Sequence, residues 1–135
     1  MDELWIALLT IAVGAMGYLI ANFWVSPILR YRKIKNQVTS DLVFFANAIQ
    51  LQKLDGTLRE DTLARKDANR RLAADLVAIN NDLPTWYRWW LAKRHEDPQR
   101  ASSELIGLSN ESDPREAPKR VESVKKYLRI SAAQE

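Results

Sequence analysis

The sequence predicts an all-α protein. One N-terminal transmembrane helix continues into a cytoplasmic antiparallel helical hairpin carrying short packed helices. Three observations predict it. Leu4 to Leu29 contains no charged residue. Beyond it, apolar residues recur every three to four positions, the period of an amphipathic helix. No segment shows sustained strand alternation, and only four glycines are present, with no Gly-rich hairpin turns.

The charge-free run "LWIALLTIAVGAMGYLIANFWVSPIL" exceeds the ~20 residues a helix needs to cross the hydrocarbon core. A secretory signal would carry a basic start and a shorter apolar region; here Asp2 and Glu3 come first and the run is long. All 20 basic residues and 15 of the 17 acids lie beyond Leu29, a balance of +5. Arg30, Arg32, Lys33 and Lys35 follow the run directly. The positive-inside rule then keeps the C-terminal part in the cytoplasm with the N-terminus outside. Trp5 at one end, with Trp24 and Tyr31 at the other, fit aromatic belts. Pro27 is expected to bend the exit of the helix.

Thr10, Gly14, Gly17 and Ala21 fall on one narrow stripe of small residues, whereas Leu9, Met16, Ile20 and Phe23 lie on another face. Such a stripe lets two helix backbones approach closely, so the span is expected to self-associate. Asn22 beside it favours a partner helix or water. A water-lined pore around Asn22 is the less favoured arrangement, because no ionisable residue lines the span.

In the next segment Ile34, Val38, Leu42, Phe45 and Ile49 form an apolar face, stopped by Asp55-Gly56. Thr57 and Glu60 make a capping box for a second helix, whose later face carries Leu72, Leu76, Ile79 and Leu83. Asn80, Asn81 and Pro84 end it. Pro84 also suits the start of a short aromatic helix reaching His95. Asp97 is an N-cap and Pro98 a first helical residue for the next helix, with Ala101, Leu105 and Leu108 inward and Asn110 as its stop. A polar linker then leads to a last helix with Val121, Val124 and Leu128 on one face, expected to dock weakly or to fold on a partner; "SAAQE" is expected to fray. The chain divides into 1–29, the N-out transmembrane helix; 30–110, a cytoplasmic helical domain; and 111–135, linker and amphipathic helix.

Catalysis is not expected. Cysteine is absent, His95 is the sole histidine, and neither a metal-ligand cluster nor a phosphate-binding loop occurs. No cofactor or metal is expected. Two candidate surfaces remain. Trp86, Tyr87, Trp89 and Trp90 form an aromatic cluster. Its alternatives are a core role against Ile34, Val38 and Leu42, a membrane-interface role, or a ligand platform. The two hairpin arms, Arg30 to Leu54 and Leu58 to Asn81, are each roughly 36 Å long, so the chain returns to the inner membrane surface near Leu83. Arg65, Arg70, Arg71, Arg88, Lys93 and Arg94, with Lys66, are candidate contacts for an anionic nucleotide-type ligand. The competing reading is a salt-bridged helix surface with Glu60, Asp61, Asp67 and Asp75.

"ASSELIGLSN", Ala101 to Asn110, resembles a segment near the C-terminus of small uncharacterised bacterial single-pass membrane proteins. The resemblance implies a bacterial inner-membrane protein and brings no activity, cofactor or site. The expected function is non-enzymatic: a self-associating inner-membrane protein presenting a cytoplasmic interaction module. One alternative is a membrane effector whose helical domain senses a nucleotide-type ligand and gates membrane perturbation, as in bacterial defence. Another is an accessory subunit of a larger membrane complex. Expected partners are the lipid bilayer, a second copy and a protein partner; duplex nucleic acid is disfavoured by the mixed charge.

Overall fold

The computed structural model describes the backbone of residues 1–52, 59–111, 113 and 115–130, and their side chains except over 45–62. Six helices follow one another among these residues: α1 (Asp2–Ile20), α2 (Ser26–Gln52), α3 (Arg59–Asp82), α4 (Thr85–Lys93), α5 (Pro98–Asn110) and α6 (Ala117–Leu128). No strand occurs among them. The expected stop at Asp55-Gly56, the Thr57–Glu60 box, the inward roles of Phe45 and Ile49 and the frayed "SAAQE" lie outside the described set.

A wide π-turn, Ala21–Val25, joins α1 to α2, so the chain is helical from Asp2 onward without a break. The cause lies just beyond. Pro27 has no N–H to donate, and its ring crowds the carbonyl four residues back. The ladder responds by widening: the Ser26 N–H donates to the Ala21 carbonyl, five residues back. Pro27 is thus helical, and the expected irregularity falls one turn earlier, at Asn22.

α1 has no buried residue. The core belongs to the other helices. Val38 and Leu42 of α2, Leu72, Ala73, Leu76 and Ile79 of α3, and Ala101, Leu105 and Leu108 of α5 belong to one buried cluster. α5 lies between α3 and α6, and these two are its closest neighbours. Small residues make the close approach possible: Ala73 and Ala101 are fully buried, and Ser102 donates its hydroxyl to the Ala73 carbonyl at 2.8 Å. That bond both satisfies a buried hydroxyl and fixes the register of α5 on α3.

α6 corrects an expectation. It does not dock weakly: Ala117, Val121, Val124 and Leu128 are buried, Val124 and Leu128 completely. Four apolar residues at i, i+4, i+7 and i+11 give a continuous stripe, which α5 covers. The helix α6, beyond residue 110, therefore shares the core of residues 30–110. Gly107 explains how the two helices are tied at the surface. A Cβ there would meet the Arg120 guanidinium at 2.3 Å. Without it, Arg120 lies across α5 and reaches Glu104 at 3.2 Å and Glu111 at 3.0 Å.

Candidate functional site

Two residues separate α4 from α3; Pro84 is the N-cap of α4 rather than its first helical residue, so the helix runs from Thr85 and ends at Lys93 rather than His95. Its termination is a Schellman motif without glycine. The Glu96 N–H donates to the Leu91 carbonyl and the His95 N–H to the Ala92 carbonyl, each at 3.0 Å. His95 takes the left-handed conformation, with φ of 58°. α6 ends the same way, with Arg129 left-handed and the Ile130 N–H on the Lys125 carbonyl. The two ends meet. The Asp97 N–H donates to the Tyr127 carbonyl at 2.8 Å, and the Arg129 guanidinium donates to the Arg94 carbonyl at 2.9 Å.

The turn at His95 aims Glu96 into the protein. Its carboxylate is buried, accepts a hydrogen bond from the Tyr31 hydroxyl and pairs with Lys35 at 2.8 Å. Tyr31 was expected in an aromatic belt; it is instead a core residue, 1% exposed, because Glu96 and the Tyr87 ring enclose it. Burial, then the hydrogen bond to Glu96 and its charge, push the Tyr31 hydroxyl well above its ordinary pKa. Lys35 is half of this pair as well as part of the basic flank. Sequence reasoning missed the triad, since nothing in "KRHEDP" marks Glu96 as the one acid facing inward.

The aromatic cluster divides by face. Tyr87 and Leu91, four residues apart, are buried. Trp86, Trp89 and Trp90 fall on a separate sector and are 50%, 59% and 37% exposed. Trp86 contacts Trp24 edge-on at 6.3 Å, and Tyr87 meets Tyr31 edge-on at the same distance. The start of α4 therefore sits against the junction of α1 and α2. Lys93 lies over the Trp89 ring at 4.0 Å and Arg94 over the Trp90 ring at 4.5 Å. Both cations are thereby held on the tryptophan side.

The anionic-ligand candidates are dispersed. Arg65 covers the Phe44 ring, and Arg70 binds the end of α5 through Asn110 Oδ1 at 2.8 Å and Ser109 Oγ at 3.4 Å. Arg71 is exposed on α3, and Lys93 and Arg94 cover tryptophans. Arg88 alone lines an open cleft of about 580 Å³, with Leu91, His95, Arg100, Lys126 and Tyr127. Arg100 is also paired with Asp97 at 3.4 Å.

Along the apolar helix, Thr10 donates its hydroxyl to the Ile6 carbonyl at 2.8 Å. A Cβ added at Gly14 or Gly17 would meet nothing within 4 Å. Ala21 and Asn22 are exposed in the π-turn. Among the described residues, no group of three or more His, Cys, Asp or Glu could hold a metal ion.

The "ASSELIGLSN" segment has a packing account at nearly every position. Ala101, Ser102, Leu105, Leu108 and Ser109 are buried, Gly107 admits Arg120, and Asn110 receives Arg70. No family model, no curated protein and no solved structure matches the chain.

Proposed function

We propose that this is a single-pass membrane protein of the bacterial inner membrane, N-terminus out, that self-associates through α1 and presents a cytoplasmic helical module to a protein partner. The observation that carries the reading is the bareness of α1. Among the described residues one helix is long and apolar enough to cross a membrane, and its apolar window is left unburied. A core helix would be covered; an uncovered one needs lipid. The basic flank supplies the orientation. α2 and α3 act as the two arms of an antiparallel hairpin standing on the span. The open small-residue stripe and the exposed Asn22 favour a helix partner within the bilayer.

The absence of native cysteine makes the test direct. The protein should stay with membranes through an alkaline carbonate wash. A single cysteine at Asp2 should react with an impermeant maleimide in intact spheroplasts, and one at Ser131 only after lysis. Release by carbonate, or the reverse labelling pattern, overturns the topology.

A second reading, a module sensing an anionic ligand, is favoured by the cleft that Arg88, Lys126 and Tyr127 line together. Calorimetry of the full chain in detergent with a nucleotide panel tests it. Binding lost in Arg88→Ala and Lys126→Ala supports it; silence across the panel removes it.

A further inference from the structure

We infer that the exposed tryptophan sector of α4 is a second, peripheral membrane contact, seated in the headgroup region of an anionic leaflet beside the end of α1. The inference rests on the transmembrane reading of α1 and deepens it.

Depth comes first. Trp5 and Trp24 are 19 residues apart. At about 1.5 Å per residue that is roughly 28 Å, close to the ~30 Å hydrocarbon thickness. Trp24 therefore marks the inner boundary. Trp86 touches it, which brings the start of α4 to the same level. The far end of α4 rises from that level along α2, towards Tyr31 and Lys35, roughly 10 and 16 Å beyond Trp24 at about 1.5 Å per residue. Glu96, just past its last turn, binds Tyr31 and Lys35. From end to end α4 stays beside the segment from Trp24 to Lys35.

Facing comes next. Tyr87 and Leu91 occupy the inward face, and Tyr87 meets Tyr31, about two turns beyond Trp24. The tryptophan sector is the one that includes Trp86, on the Trp24 side. Three exposed tryptophans on one nine-residue helix leave a large apolar area in water. Tryptophan is the side chain best suited to the membrane boundary, with an apolar ring system and one N–H donor.

Charge selects the leaflet. Lys93 and Arg94 lie on the tryptophan rings, and Arg30 and Arg32 leave the end of the span. No acid occurs between Asp82 and Glu96, and Glu96 is turned inward. Basic residues close to an anionic surface are drawn to it. The same cations that cover the rings in water reach lipid phosphates when the rings enter the interface.

The experiment uses the full chain in vesicles of phosphatidylcholine and phosphatidylglycerol carrying lipids brominated at shallow or deep acyl positions. One variant, Trp5→Phe with Trp24→Phe, leaves the α4 cluster as the only source of tryptophan emission. Another, Trp86→Phe with Trp89→Phe and Trp90→Phe, leaves the span reporters. Each is first shown to melt cooperatively by circular dichroism. The expected result is quenching of the α4 cluster, stronger with shallow bromines. Its emission should shift to the red in Lys93→Glu with Arg94→Glu, and in vesicles lacking the anionic lipid. Quenched span reporters with an unquenched cluster overturn this inference and leave the span standing. If neither set is quenched, the transmembrane reading falls and this inference falls with it.

Discussion

Tyr31, Lys35 and Glu96 join the start of α2 to the turn after α4, across more than 60 residues of chain. A buried carboxylate is tolerable only with its partners in place, and here a hydroxyl and an ammonium supply them. Removing the acid strands Lys35 and the Tyr31 hydroxyl together, so Glu96→Ala is expected to cost about 3 kcal/mol in denaturant melts. Tyr31→Phe removes one donor and is expected to cost about 1 kcal/mol at neutral pH. The pair separates further in alkali. The unfolded phenol ionises near ~10, whereas burial and Glu96 hold the folded one neutral well above that. The raised value favours the protonated folded state. Its contribution is complete below ~10 and declines above it, by up to ~1.4 kcal/mol per pH unit. Melts across this range should show the wild type falling faster than Tyr31→Phe; parallel curves would remove Tyr31 as the cause. His95 offers a simpler case. Its left-handed backbone costs a side-chain-bearing residue roughly 1 kcal/mol that glycine avoids. His95→Gly should therefore raise the melting temperature, and His95→Val should lower it.

At the scale of the helix, Gly107 has two opposed effects. Glycine inside a helix costs about 1 kcal/mol relative to alanine, yet its missing Cβ admits the guanidinium that ties α6 to α5. Gly107→Ala should gain its full helix propensity only once Arg120 is gone. In the Arg120→Ala background it is expected to stabilise by about 1 kcal/mol, and in the wild type by clearly less. Equal effects in the two backgrounds would show that Arg120 does not depend on the gap. The contrast explains what was legible beforehand. The α4 and α5 starts follow from Pro84, Asp97 and Pro98 because caps and proline act locally. The buried faces of α3 and α5 follow from their 3.6-residue period. Glu96 could not be found that way, because its burial depends on a left-handed His95 and on a helix 60 residues upstream. The docking of α6 was half legible. Ala117, Val121, Val124 and Leu128 were a complete apolar stripe, but no local signal says that α5 presents the matching face. The aromatic cluster was legible as a feature and ambiguous as a site, since only packing divides inward Tyr87 from outward Trp86, Trp89 and Trp90.

At the scale of the molecule, the core formed by α2, α3, α5 and α6 is continuous, and α1 stands apart from it. The proposed self-association can come from α1 itself or from the surface of the core, and the two can be told apart. Within lipid, apolar side chains gain nothing from leaving one hydrocarbon environment for another; closeness of backbones decides helix pairing. The stripe of Thr10, Gly14, Gly17 and Ala21 is a face of α1 where that closeness is available, and among the described residues nothing lies within 4 Å of a Cβ placed on either glycine. Because the chain has no cysteine, a single one can be placed at will. Thr10→Cys, on the stripe, is expected to give a disulfide-linked dimer when membranes are oxidised. Leu19→Cys, on the opposite side of the helix, should give little. Adding Gly14→Leu with Gly17→Leu to Thr10→Cys should abolish the dimer, because two bulky side chains hold the backbones apart. The same pair of substitutions should leave the melting of α2 to α6 unchanged, since neither glycine belongs to the buried core. A dimer that forms equally from both cysteines, or that survives the leucines, would move the association surface from the span to the helices beyond it.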